Sequence, residues 1–318
     1  GWGANASGQL GDETTSDRSR AVVVEAGEIP VGVSLQQVSA GGSHSLGLGS
    51  DGKVYAWGAN GYGQLGDGTL IDRSRPVVVG VGEIPSGVMI TEVRAGRDHS
   101  LALGSDGKVY AWGRNASGQL GDGTLGSRSL PVAVVVGSVR YSGLAAGRFH
   151  SLGLATDGKV YGWGSNGFGQ LGDGTTESRL EPVWSSGVNV VARSVSAGWL
   201  HSVVLGVDGK AYSWGGNAAG QLGDGTVEER TVAVAAVGVS GNLKSVVAGG
   251  EYSLGLGEDG VVYGWGSNES GQLGDGTKVS RRSAVAGVRG EIRNGLVVGS
   301  VSAGSQHALI LADGEPAL

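Results

Sequence analysis

One string recurs six times and constrains everything else in the chain. Trp-Gly-x-Asn-x-x-Gly-Gln-Leu-Gly-Asp begins at Trp2, Trp57, Trp112, Trp163, Trp214 and Trp265, at intervals of 55, 55, 51, 51 and 51 residues. A fixed period of this size means that one small unit has been copied. No such unit buries its apolar face alone, so neighbours stack to make a shared core. The 318 residues therefore form a single domain, 1–318, rather than the two ordinary domains that length alone predicts.

A second string, Ala-Gly-x-x-His/Tyr, starts at Ala40, Ala95, Ala146, Ala197, Ala248 and Ala303. From each of the first five alanines to the next repeat tryptophan is 17 residues, and from each tryptophan to its threonine is 12. All length variation lies between that threonine and the next alanine, 26 residues or 22. Fixed spacing marks a frame and variable spacing marks a loop. Of the three longer loops, the first two carry Gly27-Glu28-Ile29-Pro30 and Gly82-Glu83-Ile84-Pro85.

The frame has strand chemistry. His44-Ser45-Leu46-Gly47-Leu48 alternates large residues, and Val54-Tyr55-Ala56-Trp57 is apolar on both faces with its aromatics on one side. Asp51-Gly52 lies between these runs and recurs in every later copy, which predicts a hairpin because glycine accepts a left-handed turn. Glycine supplies 65 residues and breaks every helical period, while 39% hydrophobic residues suffice for a core. Small antiparallel sheets covered on both faces pack radially, so the expected fold is an all-β β-propeller. A β-solenoid would need parallel strands, and the hairpins argue against it.

The chain opens Gly1-Trp2 with no initiator methionine, as a processed chain or a fragment does, and both ends stop inside a repeat. Two expectations follow. Either the partial repeats at the two ends combine into one blade and close a six-bladed ring, or the chain is an arc of a seven-bladed parent.

Ala-Gly-x-x-His-Ser-Leu, then Asp-Gly-Lys-Val-Tyr-Ala-Trp-Gly, then Asn-x-x-Gly-Gln-Leu-Gly-Asp-Gly-Thr resembles the regulator of chromosome condensation repeat across essentially the whole chain. The resemblance implies a β-propeller, most often of seven blades. The family includes a nucleotide exchange factor for a small GTPase, a plant ultraviolet-B photoreceptor and many bacterial surface proteins. The near-identical repeats and the Gly-Glu-Ile-Pro loops look most like the bacterial group. That implies a secreted or cell-surface location, with the cytoplasm as the alternative. Photoreception needs several clustered tryptophans, and only Trp199 occupies the matching position.

Repetition also disposes of most candidate chemistry. His44, His99, His150, His201 and His307 share one repeat position, with Tyr252 in the sixth. A ring of metal ligands would use imidazoles, but a phenol replaces a structural donor more readily than a ligand. A hydrogen bond inside each blade is the expectation, alongside structural roles for Trp57, Trp112, Trp163, Trp214 and Trp265. Asp12, Asp67, Asp122, Asp173, Asp224 and Asp275 each precede glycine or a turn, one per repeat. That is turn chemistry rather than a convergent calcium site. The glycine-rich strings lack the strand–loop–helix context and the lysine of a phosphate loop. In His44-Ser45 the two side chains point to opposite faces of a strand, so no nucleophile–base pair arises. No metal or cofactor is expected.

Net charge is −6 without a basic run, which argues against nucleic acid, and no apolar stretch is long enough to insert in a membrane. Function then belongs where the copies differ, in the two residues before each His or Tyr. These include Arg97-Asp98, Arg148-Phe149, Trp199-Leu200, Glu251 and Gln306. Arg, Phe and Trp exposed together suit a protein interface. The expected function is a non-catalytic protein-interaction scaffold. Exchange on a small GTPase, implied by the resemblance, is the alternative, and a propeller-scaffold enzyme ranks third. An exchange factor's wedge loop would protrude, yet no loop exceeds its siblings by more than 4 residues.

Overall fold

The structure, a computed structural model, describes residues 1–135, 137–288, 290 and 296–313. Its regular elements are all strands. The first sheet is β1 (Leu35–Ala40), β2 (His44–Gly49), β3 (Val54–Gly58) and β4 (Arg73–Val78), and the second is β5 (Ile90–Ala95), β6 (His99–Gly104), β7 (Val109–Gly113) and β8 (Arg128–Ala133). The third is β9 (Tyr141–Ala146), β10 (His150–Ala155), β11 (Val160–Gly164) and β12 (Arg179–Trp184). The fourth is β13 (Ala192–Ala197), β14 (His201–Gly206), β15 (Ala211–Gly215) and β16 (Arg230–Ala235), and the fifth is β17 (Leu243–Ala248), β18 (Tyr252–Gly257), β19 (Val262–Gly266) and β20 (Arg281–Ala286). A sixth sheet has two strands, β21 (Val297–Ala303) and β22 (Ala308–Asp313). Within each sheet the strands follow chain order, as in a propeller blade.

The chain divides into two compact units. One holds residues 1–156, 163–165 and 178–182, and the other holds 157–162, 166–177 and 183–318. In the first, β1 packs on β5 and β5 on β9; in the second, β13 packs on β17 and β17 on β21.

The period-two pattern becomes burial in the middle strands. β3 and β7 are buried at every residue, and so are β6, β10, β14 and β18. Ser45 faces Trp57 and Gly47 faces Tyr55 across β2–β3, which puts both aromatics on one face. The repeat tryptophan then lies on the preceding copy of Gly-Gln-Leu-Gly. A Cβ on Gly66 would sit 2.8 Å from Trp112 Nε1, and Gly66 has φ +69°, so no other residue fits there without strain. Trp57, Trp112, Trp163, Trp214 and Trp265 are buried, whereas Trp2 is 57% exposed.

The histidines correct one expectation. The expected bond lies inside each blade, but the observed bond joins neighbouring sheets. His44 Nε2 meets Ser100 Oγ at 3.0 Å, His99 meets Ser151 at 2.9 Å, and His201 meets Ser253 at 2.9 Å. Each serine in turn donates to a glutamine carbonyl of the preceding sheet, Ser100 to Gln64 O at 2.8 Å, and Trp112 Nε1 donates to that same oxygen at 2.9 Å. A hydroxyl has one proton, and the carbonyl only accepts. Ser100 must therefore receive its other bond from His44, so the ring is neutral with its proton on Nε2. The chain His44 → Ser100 → Gln64 ← Trp112 clasps two sheets together. The adjacent His-Ser residues thus work in opposite directions, the histidine forward to the next sheet and the serine back to the previous one. Ala308 replaces the sixth serine, and there Tyr252 replaces histidine. The longer phenol reaches past the missing hydroxyl to the backbone carbonyl of His307.

The two Gly-Glu-Ile-Pro segments are also more than loops. Glu28 Oε2 accepts the Val78 N–H at 2.7 Å, and its own N–H donates to Pro76 O at 2.9 Å. Glu83 does the same for Ala133 and Pro131. Each segment seals the free edge of the next sheet's outer strand.

Candidate interaction surface

The loops that enter β2, β6, β10, β14 and β18 come from the repeat's Ala-Gly-x-x, and those that leave β3, β7, β11, β15 and β19 come from Trp-Gly-x-Asn-x-x. The strand register sets the two side by side, since His44 pairs with Gly58 and His99 with Gly113. Both variable sets therefore project from one end of each sheet.

Below them, the motif residues hold the turn rigid. Asn60 is fully buried; its Oδ1 accepts the Leu65 N–H at 2.9 Å and its Nδ2 donates to Asp67 Oδ1 at 3.1 Å. Asp67 Oδ1 also accepts the N–H and hydroxyl of Thr69, at 2.9 and 2.7 Å. Its Oδ2 takes the Arg73 guanidinium at 2.9 Å. Burial would raise the carboxyl's pKa, but the hydrogen bonds from Thr69, Arg73 and Asn60 outweigh it and hold it below the ordinary value. Both carboxylate oxygens are committed, which is the turn chemistry expected for these aspartates. The partner arginine went unrecognised in the sequence. Yet Arg18, Arg73, Arg128, Arg179, Arg230 and Arg281 all stand four residues after the repeat threonine, so the fixed frame extends further than the threonine.

In the first unit the structure brings four predicted site residues together. Arg97 and Arg148 lie with their guanidinium carbons 5.7 and 5.1 Å from the Phe149 ring centroid. Arg114, absent from the sequence prediction, lies 5.5 Å from the same ring and 4.8 Å from that of Tyr62. Asp98 Oδ2 stands 3.3 Å from Arg114 and 3.6 Å from Arg97. Three arginines and one aspartate leave this cluster with a charge of +2. The Arg97 side chain is 43% exposed and Tyr62 equally so. Arg114 and Tyr62 occupy the variable positions of Trp-Gly-x-Asn-x-x, so comparing the copies at those positions would have found them.

In the second unit the other four behave differently. The Trp199 ring lies over Gly250, where an added Cβ would come within 3.1 Å, and the Trp199 backbone N–H donates to Gly250 O. Leu200 packs beside Gly216 with Phe168, another residue the sequence prediction omitted. Glu251 and Gln306 are exposed. This part of the surface is apolar and acidic, without the guanidinium cluster. Among the described residues no three His, Asp or Glu side chains are placed to hold a metal.

Comparison with known proteins places this architecture. The RCC1-like domain family matches residues 1–315. The ultraviolet-B receptor UVR8 of Arabidopsis thaliana is 32% identical over 98% of this chain and 70% of its own length. The human regulator of chromosome condensation is 30% identical over 98% of this chain and 77% of its own length. Among solved structures, yeast RCC1 (Prp20) bound to Kap60 is 25% identical with a TM-score of 0.83, over 98% of this chain and 75% of that one. With its blade-type sheets, its inter-sheet clasps and this kinship, the chain belongs to the RCC1-like family of β-propellers.

Proposed function

We propose that the chain is a non-catalytic protein-interaction module that binds its partner through the loop face around Phe149. The observation that carries the proposal is the stacking of Arg97, Arg114 and Arg148 on one aromatic ring, with the Asp98 carboxylate beside Arg97 and Arg114. Planar guanidiniums held on a rigid aromatic lose little freedom on binding and present bidentate donors to carboxylates. The complementary partner surface is acidic. The repeated polar residues support a binding role, because histidine, serine, aspartate and asparagine are used up in clasps and turns. The complex of yeast RCC1 with Kap60 is a case of protein binding by a relative.

Exchange on a small GTPase competes with this reading through family kinship. Two of the three long loops speak against it, since Glu28 and Glu83 bind them flat on strand edges rather than leaving them to protrude. The test has two arms. An Arg97→Glu/Arg148→Glu variant should bind a captured partner at least about tenfold more weakly while keeping its circular dichroism and urea midpoint. Unchanged binding, or accelerated nucleotide release from any member of a GTPase panel, would overturn the proposal.

A further inference from the structure

Three copies of the repeat carry a signal that the other three lack. Asn-x-Ser, with x other than proline, is the acceptor sequence for N-linked glycosylation and ordinarily belongs on a surface loop. It stands at Asn5-Ala6-Ser7, Asn115-Ala116-Ser117 and Asn268-Glu269-Ser270, whereas Tyr62, Phe168 and Ala219 take the serine's place in the remaining copies. The acceptor in each case is the fixed asparagine of the repeat, and it is not on the surface. Asn5, Asn115 and Asn268 are fully buried. Asn115 Oδ1 accepts the Leu120 N–H at 2.9 Å, and its Nδ2 donates to Asp122 Oδ1 and Thr124 O, each at 3.0 Å. Asn5 Nδ2 donates to Asp12 Oδ1 at 2.9 Å and Thr14 O at 3.1 Å, and Asn268 Nδ2 to Asp275 Oδ1 at 3.0 Å and Thr277 O at 3.2 Å.

A side-chain amide nitrogen has two protons, and here both are bonded. Glycosylation replaces one of them. Nδ2 attacks C1 of an oligosaccharide carried on a lipid diphosphate. The N–C1 bond forms, the C1–O bond breaks, the lipid diphosphate leaves with the electron pair, and Nδ2 loses a proton. A single C–N bond is ~1.45 Å long, so C1 in place of either Asn115 proton would lie within about 2 Å of the Asp122 or the Thr124 oxygen. A glycan at Nδ2 and the closed turn therefore exclude each other. The loss reaches beyond the turn, because the leucines whose N–H groups these asparagines hold, Leu10, Leu120 and Leu273, are buried in the core.

We propose that Asn5, Asn115 and Asn268 are glycan acceptors only while the chain is unfolded, and that glycosylation there blocks folding. In the eukaryotic secretory lumen the transferase meets a chain as it enters, before its turns close. This chain then folds in a compartment without that transferase, and not in that lumen. The inference is independent of the Phe149 face.

The test sends the chain, behind a cleavable secretion signal, into the secretory pathway of a eukaryotic host cell. An endoglycosidase shift reads the modification, and secreted yield and trypsin resistance read folding. The comparison is Ser7→Ala/Ser117→Ala/Ser270→Ala, which removes all three signals and spares the asparagines. Alanine already fills this position in the fifth copy, where the Ala219 N–H meets Gln221 Oε1 at 2.9 Å as the Ser117 N–H meets Gln119 Oε1. The parent chain should be glycosylated and retained in a trypsin-sensitive form, and the triple variant should be secreted folded in several-fold greater yield. Asn217 is buried and bonded like the three acceptors. Adding Ala219→Ser to the triple variant gives Asn217 the signal. That should restore the block in the host cell while leaving the urea midpoint of bacterially made protein unchanged. Secretion of trypsin-resistant parent chain, with or without glycans, would overturn the proposal. So would equal retention of the triple variant, or secretion of the folded Ala219→Ser variant.

Discussion

The inter-sheet clasps make this protein acid-sensitive at a pH above that at which the clasped aspartates of its turns titrate. Burial lowers the pKa of His44 to about 4, of His99 to about 3 and of His201 to about 4. The geometry gives the cause a location. Nε2 already donates to serine, and Nδ1 of all three is buried without a hydrogen-bond partner, so a second proton has nowhere favourable to go. The unfolded chain has ordinary histidines near 6.5. Below that value the unfolded state binds more protons than the folded one. Stability conferred by the neutral rings is complete above pH ~6.5 and is lost as the pH falls toward the folded-state values. Between pH 7.5 and 5.5 each ring costs about 1.4 kcal/mol, so the three together cost about 4 kcal/mol. Aspartates such as Asp67 and Asp122 have lowered pKa values and titrate only at more acid pH. Urea unfolding at half-unit pH steps should show the midpoint falling steeply through this window at constant m-value. His44→Gln, which keeps an N–H donor but cannot titrate, should flatten the slope by about a third. A midpoint that does not change between pH 7.5 and 5.5, or nitrogen shifts showing Nδ1 protonated at pH 6, would refute the reasoning.

Two further outcomes follow from the same contacts. Ser100→Ala should cost about 2 kcal/mol, because His44 Nε2–H is left buried without an acceptor. In a double-mutant cycle with His44→Leu the coupling should exceed about 1 kcal/mol, read from urea midpoints. Glu28→Ala uncovers the Val78 amide on an exposed edge, so it should leave stability within about 0.5 kcal/mol yet raise self-association in light scattering.

The sequence disclosed the blades more readily than their joints. Asp51-Gly52 with its flanking alternation defined a hairpin, and the hairpin is there with Gly52 at φ +73°. Periodicity could say that His44 was structural but not which sheet held its partner. A contact between copies has the same period as a contact within one. The distinguishing mark was a break in the pattern, since the single Tyr252 precedes the single Ala308 by one repeat, and only a bond running forward explains both changes. The variable length of the Gly-Glu-Ile-Pro segments reads as a loop, whereas their glutamates do the work of an extra edge strand. The Phe149 cluster was half visible. Arg97, Arg148 and Phe149 stand out in the sequence because the pair before each histidine differs from copy to copy. Arg114 and Tyr62 lie inside the most regular string of the repeat, Trp-Gly-x-Asn-x-x-Gly-Gln-Leu-Gly-Asp, at its variable positions.

The clasp has a consequence for how such a chain can change. The His44–Ser100 and His99–Ser151 junctions use the same four groups, two from each side, so these copies are interchangeable neighbours. A gain or loss of one whole copy by unequal recombination leaves the remaining junctions chemically intact, and array length can drift without redesign. The Tyr252 junction is keyed differently. A phenol needs the space that Ala308 leaves, and a serine-bearing neighbour would crowd it. That junction works as an address within an otherwise interchangeable series, fixing which two copies stand side by side.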